Sequence, residues 1–189
     1  MPPNCKFELD NCELDWTFDD NTFDYIHIRC LLGCVSDWAK VYRECLRCLK
    51  PGGWLEHTDY SIILQSEDDS VGPDHVYSRW TKTFKEAGDK MGRTFNITDN
   101  NAFVAHMEAA GFADVHVHHF KLPIGPWPAD PVLKEIGVFA KATNERSLEG
   151  FALYVCTSVL GQEYAEVQDL VEEFRQAMNN KAVHGWFPL

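Results

Sequence analysis

His57 and Asp59 stand two residues apart in the run Trp54 to Tyr60, so in an extended strand both side chains point to one face. An imidazole beside a carboxylate is the pairing that moves protons near neutral pH, as general base or acid. Its plainer counterpart is a satisfied polar pair at a sheet edge. Arg29, with His27 two residues before it, lies toward the C-terminal end of the apolar run that starts at Phe23. Its guanidinium can hold an acidic or carbonyl group of a ligand, or serve a surface ion pair. His116, His118 and His119 put two imidazoles on one face of a strand. Histidines at a strand edge more often face solvent than bind an ion, so no metal is expected.

The chain has seven cysteines at positions 5, 12, 30, 34, 45, 48 and 156, an odd count without paired knuckles, and they read as reduced thiols. Cys45 and Cys48 have C-x-x-C spacing, but they lie inside an apolar helical pattern, not at a helix start where a thiolate is stabilised. Packing is the expected role.

These residues must be carried by definite elements. Lys6 to Asp10 alternates polar and apolar side chains as a short strand does. Phe23 to Leu32 is β-branched and aromatic, the pattern of a strand buried in a parallel sheet. After an N-cap at Ser36 or Asp37, Trp38, Val41, Tyr42, Cys45, Leu46 and Leu49 recur every three or four residues, one face of an amphipathic helix. Pro51-Gly52-Gly53 stops that helix, and Trp54 to Tyr60 follows as a strand, so the unit is strand, crossover helix, parallel strand.

Farther on, Val76, Trp80, Phe84, Ala87 and Met91 space out a helix, and a further helix capped by Asp99 ends at Gly111. Asp114 to Leu122 is a strand closed by Pro123, and Pro126, Pro128 and Pro131 stiffen a linker around Trp127. Helices over Val132 to Thr143, Leu148 to Leu160 and Glu163 to Met178 complete the chain. Trp80, Trp127, Tyr154 and Trp186 read as core or pocket lining.

With 189 residues, of which 45% are apolar and 13% aromatic, the chain can bury one core. A formal charge of -12 argues against nucleic acid or an anionic membrane surface, since a phosphate footprint needs clustered Lys and Arg. No apolar run approaches the ~20 residues of a membrane span, and Met1 to Lys6 has no signal-peptide core. A soluble, cytoplasmic protein is expected, with the nucleus as the alternative address.

Read together, Pro2-Pro3-Asn4-Cys5-Lys6-Phe7, Trp16-Thr17-Phe18, Phe23-Asp24-Tyr25-Ile26-His27-Ile28-Arg29, Leu49-Lys50-Pro51-Gly52-Gly53-Trp54, Leu122-Pro123-Ile124-Gly125-Pro126-Trp127-Pro128 and Leu133-Lys134-Glu135-Ile136-Gly137 resemble a known family. It is that of the fungal class I S-adenosylmethionine-dependent methyltransferases of secondary metabolism, which includes a velvet-associated regulator. The resemblance implies an α/β fold: an incomplete class I, Rossmann-like sheet with helices on both faces and a helical C-terminal cap. One domain is expected over 1–189, with 1–64 as partial sheet core, 65–113 as helical insertion, 114–125 as strand and 126–189 as cap.

In the family, a Gly-rich strand-loop and an acidic strand end precede the segment matching Pro2-Pro3-Asn4, and a final strand follows the position of Pro188. This sequence has no counterpart of them, so a truncated scaffold is expected. The resemblance further implies that Asp10-Asn11-Cys12 matches the position where an acidic or amide side chain meets the adenine amine. Losing about three neutral hydrogen bonds at ~1 kcal/mol and one charge-assisted contact at ~2 kcal/mol removes roughly 5 kcal/mol, three to four decades in affinity. The expected cofactor is therefore none, with S-adenosylmethionine held only if a partner chain completes the site.

The resulting expectation is a methyltransferase-like protein of secondary metabolism unable to transfer methyl groups by itself. One alternative is a cofactor-independent cyclase or isomerase using His57, Asp59 and Arg29 on a small-molecule secondary metabolite. Another is a non-enzymatic partner subunit. Open edges of buried-type strands favour association, so a homodimer or heteromer is expected.

Overall fold

In the computed structural model, which describes residues 2–189, strands Phe23–Arg29 (β1) and Leu49–Thr58 (β2) run parallel, joined by the helix Trp38–Cys48 (α1). Ile26 lies opposite Leu55 and Ile28 opposite His57. Alternation then puts Ile26, Ile28, Leu55 and His57 on the face that α1 covers, and Tyr25, His27, Trp54 and Glu56 on the other. That outer face is exposed, with Trp54 64% accessible.

α1 forms where the spacing predicts it. Trp38, Val41, Tyr42, Cys45 and Cys48 are all buried, and the Asp37 carboxylate accepts the Lys40 amide at 2.8 Å as N-cap. β2 begins at Leu49, earlier than the expected Trp54, because Leu49 already pairs with Phe23 across an irregularity before Tyr25. Both strands also end sooner than expected, at Arg29 and Thr58.

Lys6 to Asp10 is not a strand. Phe7 and Leu9 are 78% and 105% exposed, and no backbone lies alongside that segment to form a ladder among the described residues. Alternation selects faces, but a strand exists only once a neighbour takes its hydrogen bonds. The same reason shortens the expected strand Asp114 to Leu122 to Lys121–Pro123 (β3), which pairs antiparallel with Trp186–Pro188 (β4). Residues 112–120 run past the free edge of β2 at a distance. The groove between them measures about 1510 Å³ and is walled by β2 with the following Asp59, by Thr98 to Phe103 and by Phe112 to Phe120.

The helices follow their apolar spacing. Val76–Met91 (α2) buries Tyr77, Trp80, Phe84 and Ala87, and ends on Gly92 in the left-handed region. Ala102–Ala110 (α3) ends likewise on Gly111. Its N-cap is Asn101, not Asp99. Asp99 opens a short 3-10 turn, and its carboxylate accepts the Ser61 hydroxyl at 2.6 Å.

Pro131–Tyr154 (α4) runs through the break expected between Thr143 and Leu148. There the polar side chains bond back along the helix, Asn144 to the Ala140 carbonyl and Ser147 to that of Thr143, each at 2.8 Å, so they do not terminate it. The helix continues into a π-helical turn, Val155–Val159. Tyr164–Asn179 (α5) closes the core with Val167, Val171 and Phe174. Its aromatic centre joins Tyr77, Trp80 and Phe84 to Phe174 and Phe95, with ring centroids 4.5 to 5.3 Å apart. Among the described residues no helix is long and apolar enough to cross a membrane.

Candidate active site at the ends of the parallel strands

His57 and Asp59 meet behind the end of β2, their side chains 1% and 0% exposed. The Asp59 carboxylate accepts the Leu31 amide at 3.0 Å and the Tyr60 amide at 3.1 Å, and it faces His57 Nε2 at 3.5 Å. His57 Nδ1 lies 2.7 Å from the Tyr42 hydroxyl. An ionised carboxylate only accepts, so the ring hydrogen sits on Nε2 and Tyr42 donates to Nδ1. Trp38 stacks on the imidazole at 4.8 Å, and Phe103 approaches it edge-on at 6.2 Å. Burial, with the nearby Cys45 and Asp59, drives the Tyr42 phenol far above its ordinary value and keeps it a donor.

The polar atoms of His57, Asp59 and Tyr42 are thus engaged within the protein, whereas the buried Trp38 Nε1 has no partner among the described residues. The arrangement ties α1, β2 and the segment after β1 together, and it leaves neither ring nitrogen facing a ligand. Arg29 is not part of it. Neighbouring residues of a strand point to opposite faces, so Arg29 lies on the outer face with Tyr25 and His27. It is exposed and has no ion pair among the described residues. His27 contacts Glu56 at 3.3 Å on that outer face.

The chain turns sharply after β1. Cys30 takes a φ of 55°, a conformation costly for a residue with a side chain and frequent where a backbone is held for function. Its amide reaches the Thr58 carbonyl at 3.4 Å, and the Gly33 amide reaches that of Thr94 at 3.0 Å. The loop at Thr94 and Phe95 thereby covers the turn.

Asp10-Asn11-Cys12 folds into a local turn, and the next residue, Glu13, ties it to Ser36 in the segment after β1. One Asp10 oxygen accepts the Asn11 amide at 2.7 Å, and Asn11 in turn accepts the Glu13 amide at 3.0 Å. Asp10 is exposed, and its second oxygen has no partner among the described residues. Glu13 anchors the turn. Its carboxylate accepts the Ser36 amide at 2.6 Å and pairs with Arg93 at 2.8 Å. The Ser36 hydrogen bonds, then Arg93, hold the Glu13 carboxyl below the usual range.

Tyr42, Trp38, Glu13 and Arg93 are site-building residues that the sequence does not announce. A phenol in the inward stripe of α1 is a faint signal for Tyr42. Glu13 offers none, since its partners lie 23 and 80 residues away.

His116, His118 and His119 are exposed along the far wall of the groove. Among the described residues no group of three or more His, Cys, Asp or Glu is placed to hold a metal ion. The cysteines are free. Burial pushes the Cys45 thiol up to about 12 and raises those of Cys48 and Cys156. Iodoacetamide at pH 8 is therefore expected to label the exposed Cys5, Cys30 and Cys34 in the native protein and leave Cys45, Cys48 and Cys156 untouched until urea is added. Peptide mass spectrometry checks it, and fast native labelling of Cys45 contradicts the packing described.

Residues 3–117, which carry this whole edge, match the family described as "Methyltransferase domain". The chain belongs to that family. It is 34% identical over 186 residues to the methyltransferase pytC of Aspergillus terreus, covering 98% of this chain and 56% of that protein. It is 28% identical over 189 residues to the secondary metabolism regulator LAE1 of Cochliobolus heterostrophus, covering 98% and 61%. The chain thus spans a little over half the length of these curated relatives. Among solved structures, Haemonchus contortus phosphoethanolamine N-methyltransferase 2 in complex with S-adenosyl-L-methionine aligns at a TM-score of 0.45 and 22% identity, covering 95% of this chain and 34% of that one.

Family membership corrects the expectation that the cofactor is none. That expectation charged the whole family of contacts to segments without a counterpart in the sequence and turned the deficit into lost affinity. The methyltransferase-domain match lies on the residues that are present, and the absence of a motif does not weigh against it.

Proposed function

We propose that the protein takes part in S-adenosylmethionine-dependent methyl transfer to a small-molecule secondary metabolite, at the edge formed by the ends of β1 and β2. The supporting observation is that the methyltransferase-domain match over residues 3–117 coincides with the turn at Asp10, the strained Cys30 and the buried Asp59 pin. Open α/β sheets take ligands at this end of their strands.

The residues fit one end of the cofactor. The uncommitted oxygen of the exposed Asp10 suits an adenine amine, and the -12 charge favours a cationic ligand. When bound, the cofactor supplies an electrophilic methyl group on a sulfonium. Arg29, exposed beside that edge, would orient an acceptor carrying an acidic or carbonyl group, while Asp59, His57 and Tyr42 hold the backbone beneath. The cyclase alternative gains nothing from this geometry, because His57 has no free nitrogen.

Calorimetry with S-adenosylhomocysteine is expected to show binding, weakened about tenfold by Asp10→Ala for the loss of one hydrogen bond to a charged group. No heat at millimolar ligand would sink the proposal.

A further inference from the structure

Both ring nitrogens of His184 meet oxygen acceptors. Nδ1 contacts the Asp68 carboxylate, and Nε2 lies 3.1 Å from the Lys181 carbonyl. A neutral imidazole has one N–H and leaves one of these contacts unmade; the imidazolium donates to both. Asp68 is prepared to receive it. Ser66 donates to its other oxygen at 2.6 Å and the Ser70 amide at 3.2 Å. The Ser66 and Ser70 hydrogen bonds, with His184, hold this carboxyl below the usual range, so it stays charged throughout the range in which histidines titrate.

This pair joins two distant segments. The His184 amide donates to Ser70 Oγ at 2.9 Å. Directly after it, Gly185 accepts from Ile124 at 2.9 Å, Trp186 exchanges backbone bonds with Gln65, and the Pro188 carbonyl accepts from Ser61 at 2.8 Å. Phe187 packs on Tyr60 at 5.3 Å. The C-terminal strand therefore buttresses the corner that immediately follows Asp59.

We propose that His184 and Asp68 form a pH-gated clasp that fastens β4, and through it the Tyr60–Ser61 corner, while the imidazole is protonated. The sign follows from the donors. The protonated ring donates twice and the clasp is closed; the neutral ring, favoured as pH rises, donates once, so one contact is lost and the strand loosens.

Other titratable and charged groups surround the clasp, and His75 reaches its edge through Tyr77 at 4.8 Å. Lys181 contributes its carbonyl, Lys121 of β3 is occupied by Glu67 and lies 5.0 Å from the Trp186 ring centroid, and Asp69 neighbours Asp68 in the loop. Trp127 lies 5.4 Å from the imidazole, where it favours the cationic ring. Tyr77, against Gly185, is raised by burial and stays neutral.

Amide hydrogen exchange at Ile124, Gln65 and Trp186, corrected for intrinsic rates, is expected to show protection falling about threefold between pH 5.5 and 8.5, the scale of a half-exposed ion pair. Asp68→Asn and His184→Gln are each expected to flatten that response. Both side chains are more than a third exposed, so both variants should fold. Ring nitrogen chemical shifts of a neutral His184 at pH 5.5, or the same pH response in His184→Gln, would overturn the clasp.

Discussion

Asp59→Ala is expected to lower the free energy of unfolding by about 3 kcal/mol or more. The carboxylate is wholly buried and is the acceptor for two backbone amides on different segments, Leu31 and Tyr60. Alanine leaves both N–H groups and His57 Nε2 without these partners, and each buried donor left unsatisfied costs about 1–3 kcal/mol. Asp59→Asn keeps one acceptor oxygen and should lose about half as much. Tyr42→Phe removes one hydrogen bond, that to His57 Nδ1, and should cost about 1 kcal/mol. Urea denaturation of the three variants measures the series. An alanine variant within 1 kcal/mol of the parent would mean that the pin is not made in solution.

Gly33→Ala should cost about 2–5 kcal/mol and act on the same turn from its other side. Gly33 has a φ of +66°, which costs a residue with a Cβ about 1–2 kcal/mol. A methyl group there would also overlap the Phe95 ring, and overpacking of that kind typically costs about 1–3 kcal/mol more. Phe95 sits against Phe84 at 5.3 Å, so the ring cannot retreat without disturbing the aromatic centre. Thermal unfolding gives the loss. Gly33→Ala combined with Phe95→Leu should recover part of it, because the smaller side chain removes the overlap and leaves only the backbone strain. No recovery in the double variant would show that the contact with Phe95 is not the cause.

Where the sequence was legible, a local rule had no competitor. The apolar stripe from Trp38 to Cys48 with Asp37 before it specifies a helix and its inward face, and the stripes of α2 and α5 do the same. The two-residue spacing of His57 and Asp59 puts them on one face, and the segments from Pro2 to Trp54 point to the methyltransferase family. Where reading failed, the presence or absence of a hydrogen-bond partner decided. Lys6 to Asp10 alternates correctly and is still no strand, because nothing takes its hydrogen bonds. Asn144 and Ser147 are weak helix formers by type, yet each bonds back to the preceding turn and the helix runs on.

The amino-acid order alone determined the apolar helical stripes of α1, α2 and α5, the parallel strand-helix-strand unit and the family, since all of these depend on spacing over a few residues or on segment likeness. Only the tertiary structure decided that His57 is locked between Tyr42 and Asp59, that Arg29 faces away from them, that Glu13 anchors the first turn to Ser36, and that His184 closes on Asp68. Those outcomes rest on contacts between groups as far as 116 positions apart, and a hydrogen bond is made by distance in space, on which local periodicity is silent.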